Sequence, residues 1–479
     1  MDETGGWAAR EVGRAALGDP RRTRRLVDLT HTLGQHPDAA LPEATGTPAR
    51  LQAAQRFFTN PAITPAAVRA PHAAATAARM AAYPVVLAVQ DTTELDLSHF
   101  PTLSGAGPLS DHRHQGLLLH TTLAVAPPTA TQPRLPLGVL DQQVWARDPA
   151  TFGQLPDHKT RPVTAKESHK WLAASAAVRA RVARGQVPAT TTVVIVADRE
   201  SDIYDVLAQD RPPTVHLLVR AAYNRAVREA EAQTYLWDTA RAARRLTTLT
   251  VPLPARAGRP ARTAHLEVRA GAVTLRPPRH RTAEKLAPVP LWLVWAHEPG
   301  PPPGQEPVSW LLLTRWPVRD ASTAVTVVQW YTGRWEIEVW HRTLKTGCRI
   351  EARQFDEVGS FVRCLAVYSI IAWRILYATM RARADPEAPC TVVLEPDEWQ
   401  ALWVATEAGA GLPPPPPPLG EALTRLARQG GYVPRPGRVF GPMTLWRGFA
   451  WLTGATAVVR AIRAHPDLLL SGLSPPDTL

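Results

Sequence analysis

YPVVLAVQDTTELDL, residues 83–97, begins with an apolar run that leads to an aspartate. TTVVIVADRESDIYDVL, residues 191–207, has the same pattern. The β-branched residues of each run predict a short buried strand. Asp91 follows the first run and Asp198 the second, so we expect both carboxylates at or near the ends of central strands. Active sites of α/β sheets commonly form there, although a single aspartate at a strand end more often only begins a turn.

Changes in composition divide the chain around these runs. Residues 1–70 predict a helical domain, and residues 71–384 an α/β domain interrupted by a β-rich insertion at about 215–312. Residues 385–479 predict a helical region in which the prolines Pro413 to Pro418 form a stiff connection. Within the insertion, the alternation of TAHLEVRAGAVTLRP, residues 263–277, predicts a hairpin around its small residues, and many arginines predict a strongly positive exposed side.

The charge of the chain favours a polyanionic partner. Its 479 residues carry a net charge of +12 with a pI near 10.1, which indicates nucleic acid or an acidic membrane surface, the alternative being a basic housekeeping enzyme. Three widely spaced cysteines, Cys348, Cys364 and Cys390, predict neither disulfides nor a zinc knuckle, which fits a reducing cytosol. The N-terminus has no signal-peptide pattern, so we expect a protein that is neither secreted nor membrane-spanning.

The segment YTGRWEIEVWHRTLK, residues 331–345, predicts a helix with one long polar face. That face comprises Tyr331, Arg334, Glu338, Arg342 and Lys345, which recur at intervals of three and four residues. It spans about 21 Å, comparable with about six base pairs of duplex. Glu338 lies at its middle, where it is available to a metal, while the cations on either side can neutralise phosphates. The alternative is a solvated ionic face of an ordinary amphipathic helix.

Asp91, Asp198 and Glu338 together predict a site for magnesium or manganese. Three hard oxygen ligands suit these ions better than zinc. Two such ions would orient a water or a 3′-hydroxyl and stabilise an in-line phosphoryl displacement. Asp202 and Asp205 are rival carboxylates in the second run, and we prefer Asp198 because it directly follows the strand.

Other residues have both a functional and a bland interpretation. Arginines that open a predicted helix after Gly18, Asp19 and Pro20 indicate a phosphate-contacting edge or a solvated charge run; these are Arg21, Arg22, Arg24 and Arg25. Trp310 is either a core aromatic or a platform for an unpaired base. We expect His112, His114 and His120 to hold loops beside the first aspartate rather than to bind metal.

Six ordered motifs resemble those of one family. They are ALGDPRRTRRLV (16–27), QDTTELD (90–96), KESHKWLAA (166–174), DRESDIYD (198–205), WLLLT (310–314) and YTGRWEIEVWHRTLKTG (331–347). The sequence resembles the DDE transposases of bacterial insertion sequences, specifically the insertion-sequence-four group and its Tn5-type members. The last motif matches their Y-R-E-K signature at Tyr331, Arg334, Glu338 and Lys345. Pro413 to Pro418 and the region DHRHQG depart from the family pattern.

This resemblance implies a ribonuclease-H-like core with Asp91, Asp198 and Glu338 as metal ligands. It implies that the N-terminal arginines contact transposon-end DNA, that Tyr331, Arg334 and Lys345 grip phosphates, and that Trp310 stacks on a base. It also implies a C-terminal dimerisation region and a synaptic homodimer. Family members cut the transposon end, form and reopen a hairpin, and join the end to target DNA.

The sequence therefore predicts a cut-and-paste transposase of the bacterial cytosol or nucleoid, with two magnesium ions that manganese can replace. The alternatives are a non-catalytic DNA-binding regulator or decayed transposase, and a ribonuclease-H-like nuclease without strand transfer. The terminal-repeat sequence, target-site preference, present activity and order of dimer assembly stay open at this stage.

Overall fold

The computed structural model describes residues 6–111, 113–129, 132–153, 161–228, 233–253, 260–407, 411–435, 437 and 439–465. In these ranges, helices occupy both ends of the chain and one mixed sheet lies between them. The predicted mixed α/β organisation with helical flanking regions is therefore confirmed.

The N-terminal region is helical, as predicted. Its helices are α1 (Trp7–Val12), α2 (Pro20–Gln35), α3 (Leu41–Thr45), α4 (Pro48–Thr59) and α5 (Pro65–Met80). Asp19, Thr47 and Thr64 cap α2, α4 and α5 through their side chains, and a proline follows each cap, where its missing N–H costs nothing. Because α5 continues to Met80, the helical region extends ten residues past position 70.

Three parallel strands form the centre of the sheet. The first part of the sheet comprises β1 (Val85–Asp96), β2 (Gly107–Pro108), β3 (Gln115–Ala126), β4 (Leu135–Trp145), β5 (Thr192–Ala197) and β6 (Val215–Arg220), with helices α6 (His169–Ala183) and α7 (Tyr204–Ala208). β1 pairs with β5 and β5 with β6, both in parallel, while β3 continues the sheet antiparallel beyond β1. The two aspartate runs thus lie side by side.

The β-rich segment extends the same sheet. Its elements are β7 (Ala226–Arg228), β8 (Gln233–Tyr235), α8 (Leu236–Ala242), β9 (Arg244–Leu253), β10 (Arg262–Leu275), β11 (Val289–His297) and β12 (Ser309–Thr314). β12 pairs antiparallel with β6, and β11 and β10 follow it outward. The sheet therefore passes without interruption from the central strands into this segment.

The predicted hairpin at residues 263–277 is wrong, because this segment is the single strand β10. Gly271 lies within the ladder opposite Leu293, and it is not among the glycines with positive φ that a tight turn would need. Buried positions fall on even numbers up to Ala270 and on odd numbers from Val273. This change of phase inside one strand produced the appearance of two arms.

The expected strongly positive side of this segment is also reduced, because many of its arginines are paired. Arg262 pairs with Glu298, and Arg269 lies 2.6 Å from Glu267. Arg281 contacts Asp205 at 2.8 Å. Arg256 and Arg259 lie outside the described residues. Counting arginines in the sequence overestimates the free positive charge, since acidic partners such as Glu298 and Asp205 are distant along the chain.

The C-terminal part is helical again. Its helices are α9 (Ala321–Thr332), α10 (Trp335–Arg342), α11 (Val358–Ala384), α12 (Pro396–Thr406), α13 (Leu419–Gln429) and α14 (Pro442–Ala464). α11 is long and apolar enough to cross a membrane, but 83% of its most apolar window is buried in the protein, as in a core helix. Pro413 to Pro418 connect α12 to α13, and the Pro417 carbonyl accepts a hydrogen bond from the Cys390 N–H at 3.0 Å.

A buried charged cluster joins the N-terminal helices to the sheet. His72 Nδ1 lies 2.6 Å from Glu11 Oε2, and its Nε2 accepts a hydrogen bond from the Val139 N–H at 3.0 Å. Arg79 donates to Glu11 at 2.6 Å and stacks on Trp373. Burial alone raises the pKa of Glu11, but His72 and Arg79 outweigh burial and lower it to about 2. The ionised carboxylate therefore stabilises this junction.

We predict that Glu11→Gln makes the free energy of unfolding less sensitive to pH in the acid range. Because the pKa of Glu11 falls from 4.5 unfolded to about 2 folded, its contribution is complete above pH 4.5 and is lost as pH falls toward 2. The shift corresponds to about 3 kcal/mol. Thermal denaturation between pH 7 and pH 3 should show the Tm difference between parent and variant narrowing as pH falls. Glu43→Gln, on an exposed side chain, is the control; a constant Tm difference would contradict the assignment.

Candidate active site

The register of the central strands brings Asp91 and Asp198 to the same level of the sheet. Val89 pairs with Val196, and each aspartate lies two residues beyond this pair. Asp198 directly follows β5, as predicted. Asp91 does not end its strand, because β1 continues to Asp96 against β3; it marks the point where pairing with β5 stops. Residues in register on parallel neighbours point to the same face, so the two carboxylates share one face.

The structure distinguishes Asp198 from Asp202 and Asp205, the other two candidate carboxylates of this segment. Asp202 is fully buried, pairs with Arg225 and accepts hydrogen bonds from the N–H groups of Ala222 and Tyr223. Asp205 pairs with Arg281. The Asp198 side chain accepts only the local Glu200 N–H at 2.9 Å among the described residues. Asp202 and Asp205 are therefore structural, whereas Asp198 keeps lone pairs available.

Glu338 comes from a helix that is broken just before it. The sequence predicts one helix from Tyr331 to Lys345, but α9 ends at Thr332, α10 begins at Trp335, and a π-helical turn, Thr343–Gly347, follows α10. Gly333 lies at the break and packs on β1: an added Cβ would lie 2.7 Å from Leu87 Cδ1. The break thus lets the polypeptide approach the strand that carries Asp91.

The guanidinium of Arg334 lies between two of the three predicted carboxylates. Arg334 Nη1 is 3.8 Å from Asp91 Oδ2, and its Nη2 donates a hydrogen bond to Glu338 Oε1. Burial raises the pKa of Asp91 to about 7; Arg334 opposes this shift, while Asp198 and Glu338 add to it. Burial raises the pKa of Asp198 as well. The three carboxylates therefore form one electrostatically coupled group.

The carboxylates do not form a closed ligand set as their side chains stand. Among the described residues, no three His, Cys, Asp or Glu side chains are grouped closely enough to hold a metal ion. The donor chemistry nevertheless suits a hard cation, because all three groups offer oxygen. The Arg334 guanidinium is the cation that neutralises Asp91 and Glu338 in this conformation.

Two buried histidines, His341 and His120, flank Asp91. The sequence did not identify His341. His341 Nδ1 lies 3.8 Å from Asp91 Oδ2, and burial lowers the pKa of His341 to about 3, so its ring is neutral. Its position three residues after Glu338 was the available signal. His120 contacts Thr92 from strand β3, not from a loop as expected. His114 lies in the turn before β3, whereas His112 is outside the described residues.

Tyr331 and Trp310 contact each other beside this group. Tyr331 is buried and its hydroxyl interacts with Arg220, while its ring centroid is 5.8 Å from that of Trp310. Trp310 is half-buried at the start of β12 and lines a cavity of about 300 Å³ together with Arg220, Arg262 and Pro260. The predicted polar stripe is therefore not a solvated helix face at Tyr331.

The remaining stripe residues lie at the far end of the helix. Lys345 Nζ donates to the Glu94 carbonyl at 2.8 Å and lies 3.0 Å from Glu351. Arg342 is exposed in the last turn of α10. Neither residue contacts Asp91, Asp198 or Glu338 in the part of the chain that the structure describes.

The N-terminal arginines form a separate surface at the start of α2. Arg21 and Arg25 are exposed, and the ion pair that Arg25 forms among the described residues is a local one with Asp28 at 3.3 Å. Arg22 is half-buried and donates to the Leu17 carbonyl at 3.1 Å, which fixes the loop before the helix. A cavity of about 550 Å³ adjoins this loop and is lined by Gly18, Asp19 and Arg24. The structure does not bring these arginines to the carboxylates.

Lys170 also lies at the site, and Trp335 is the exposed neighbour of Arg334; the sequence did not identify either residue. Lys170 Nζ is 3.2 Å from Glu200 Oε2, and its charge lowers the pKa of Asp198, against the larger effect of burial. The motif KESHKWL carried Lys170 without a chemical reason for its spacing. Trp335 follows Arg334 and exposes 41% of its surface, which is unusual for a tryptophan.

Arg134 holds the helix break in place. From the loop before β4, its Nη1 donates to the Thr332 carbonyl at 2.8 Å and lies 3.6 Å from Glu336 Oε1. Burial raises the pKa of Glu336, and Arg134 acts against this shift. Arg134 thus joins the end of α9 to the first turn of α10, on either side of Gly333 and Arg334.

We predict that Arg134→Gln destabilises the protein by about 2 kcal/mol, because Glu336 would stay buried without its nearest cation. This figure is below that of a fully buried pair, since 26% of the Arg134 side chain is exposed. Chemical denaturation of a double-mutant cycle with Glu336→Gln should show a smaller cost of Arg134→Gln in the second background. Arg381→Gln, which removes an i,i+4 pair, is the control. Equal costs in both backgrounds would refute the contact.

Family comparison finds matches at both ends of the chain. The family model described as "Transposase DNA-binding" matches residues 4–63, which include α1 to α4 and the arginines at the start of α2. The model described as "Transposase Tn5 dimerisation domain" matches residues 370–467, which include most of α11 and helices α12 to α14. The chain is thus similar to a transposase DNA-binding domain before the three carboxylates and to a Tn5 transposase dimerisation domain after them, and the two matches together support a Tn5-type transposase.

Proposed function

We propose that this transposase is a cut-and-paste enzyme that cleaves transposon ends and joins their 3′-hydroxyls to target DNA. The observation that carries the proposal is geometric: Asp91 and Asp198 lie at one level on neighbouring strands, and Arg334 contacts both Asp91 and Glu338. No thiol competes with these oxygens, because the three cysteines are buried elsewhere. The supporting fold is a mixed sheet, and we propose that its central strands are the ribonuclease-H-like core.

The three carboxylates would hold two magnesium ions, for which manganese would substitute. When bound, such ions orient the attacking oxygen and stabilise charge on the attacking and leaving oxygens of an in-line displacement. The same site would serve end cleavage, hairpin formation, hairpin opening and joining, since only the nucleophile changes. Neutral His341 and Thr121, beside Asp91, would support its orientation without adding charge.

Arg334 would exchange partners when DNA arrives. In the structure its guanidinium contacts Asp91 and Glu338. If these carboxylates held metal ions, the guanidinium would be available to a phosphate of the transposon end. Tyr331 and Lys345 would bind neighbouring phosphates, and exposed Arg342 would extend the contact. Trp310 would stack on an unpaired base at the cavity beside Tyr331.

The matched end domains support DNA and a second subunit as partners. We propose that Arg21, Arg22 and Arg25 bind the terminal inverted repeat, with Arg22 acting partly by fixing the loop before α2. A synaptic homodimer would then hold two ends for joining to target DNA in the bacterial cytosol or nucleoid. A non-catalytic regulator would bind these ends without cleavage, and a nuclease would cut without joining.

We predict that Asp91→Asn, Asp198→Asn and Glu338→Gln each slow end cleavage by roughly 10³-fold, about 4 kcal/mol in activation free energy. The assay uses magnesium and DNA that carries the element's own terminal repeats, with joined products resolved on a gel. Asp205→Asn is the matched control, since its carboxylate is engaged by Arg281. Cleavage at the parental rate in any of the three variants would remove that residue from the site. Cleavage without joined products in the parent would favour a nuclease.

We predict that Arg334→Gln tightens manganese binding to the DNA-free protein roughly tenfold, about 1.4 kcal/mol. The reason is that the variant lacks the cation that competes for Asp91 and Glu338. Free manganese can be titrated by electron paramagnetic resonance without any reaction. Arg342→Gln removes an exposed charge and should leave the affinity unchanged.

The same Arg334→Gln variant should bind transposon-end DNA more weakly than the parent. Manganese binding that weakens or stays constant would contradict the exchange, whatever the DNA affinity.

A further inference from the structure

Three arginines from separate elements meet at one point of the sheet. Arg179 lies on α6, Arg211 precedes β6, and Arg315 follows β12. Burial, followed by the charges of Arg315 and Arg179, lowers the pKa of Arg211 to about 9, while Asp210 acts against this shift. All three guanidinium groups donate to backbone carbonyls of the short segment 206–210, which places them near one another.

This arginine cluster lies at the edge of the sheet opposite the carboxylates. β5 and β6 are parallel, and Val193 near the start of β5 pairs with Val215 at the start of β6. Arg211 therefore lies at the edge where β5 begins, whereas Asp198 lies where β5 ends. β12 runs antiparallel to β6 and ends at Thr314, so Arg315 reaches the same edge as Arg211.

Backbone carbonyls are the hydrogen-bond partners of the cluster among the described residues. Arg179 donates to the Asp210 carbonyl at 2.7 Å, and Arg315 lies 3.5 Å from the Leu207 carbonyl. Arg211 donates to the carbonyls of Gln209, at 2.8 Å, and Val206. None of the three arginines forms an ion pair in the described part of the chain. The cluster differs in this respect from Arg262, which is paired with Glu298.

The cluster keeps donors for a ligand. In these contacts Arg179 donates through Nη1 and Arg315 through Nη2. The other terminal nitrogen of each guanidinium is not buried without a partner. One or two cations are enough to interact favourably with the carbonyl groups at the carboxyl end of α7. A third guanidinium adds repulsion that an anion would relieve, and the fork geometry of arginine suits phosphate oxygens.

We propose that Arg179, Arg211 and Arg315 form a second anion site that binds phosphate groups, separate from the carboxylate site. The ligand chemistry is a phosphodiester backbone or a free polyphosphate. Lys170 and Arg179 are nine residues apart on α6, about 14 Å, which is comparable with about four base-pair steps. Lys170 lies beside Glu200, at the end of α6 that is nearer to Asp198. One duplex is therefore long enough to contact both Lys170 and the arginine cluster.

The test compares two double variants that each remove two positive charges from the full-length protein. Arg179→Gln with Arg315→Gln changes the cluster, and Arg428→Gln with Arg447→Gln changes exposed arginines on α13 and α14. Arg179→Lys with Arg315→Lys retains the charge and controls for a loss of folding. In one arm, sodium tripolyphosphate is titrated and Tm is measured. In the other, the affinity for a duplex without terminal repeats is measured against salt concentration.

We expect tripolyphosphate to raise the Tm of the parent, the control and the lysine variant more than that of the glutamine variant. If duplex DNA is the ligand, the slope of log affinity against log salt should fall by about two in the glutamine variant, one for each lost phosphate contact. If the glutamine variant differs from the control only in its Tm response to tripolyphosphate, the ligand of the site is a free polyphosphate. Equal responses of the glutamine and control variants in both arms would overturn the proposal.

Discussion

The contact of Arg334 with Asp91 and Glu338 is the interaction on which the rest of the site depends. Three carboxylates in a half-buried group repel one another, and burial by itself penalises their charge. One guanidinium in contact with two of them makes the arrangement tolerable without a metal. The same group of charges is well suited to bind divalent cations when that guanidinium leaves. Arg334 is therefore the group that balances the charge of Asp91 and Glu338 in the structure.

The fold supplies this geometry through three separate constraints. Parallel register sets Asp91 and Asp198 at one level on neighbouring strands. Gly333 allows the break between α9 and α10 to press against Leu87 of β1. Arg134 then ties Thr332 and Glu336 across that break. The position of Glu338 thus depends on contacts from β1 and from the loop before β4, not on its own helix alone.

Much of the fold follows from local pattern. The β-branched runs before Asp91 and Asp198 and the helix that begins after Asp19 all depend on neighbouring residues, and the structure has them where the sequence places them. Patterns that depend on partners elsewhere in the sheet were less informative. The strand β10 changes its buried phase because β9 and β11 pair with it on both sides, which no local alternation reveals.

The site shows the same division. Asp198 could be ranked above Asp202 from its position, but only the structure shows that Arg225 engages Asp202. Lys170 reaches the carboxylates through tertiary packing, so its spacing gave no signal, whereas the spacing of His341, three residues after Glu338, was a signal that was not used. The break at Gly333 was missed because helical spacing continues through it. The arginine cluster at the opposite edge combines residues from three distant segments and has no sequence motif at all.

The most direct test of the central claim is anomalous diffraction from crystals of the protein with manganese and transposon-end DNA. The account predicts manganese peaks about 2.1 Å from carboxylate oxygens of Asp91, Asp198 and Glu338. It also predicts that Arg334 contacts a DNA phosphate instead of Glu338. Manganese bound elsewhere, or Arg334 still bonded to Glu338 beside bound DNA, would contradict the account.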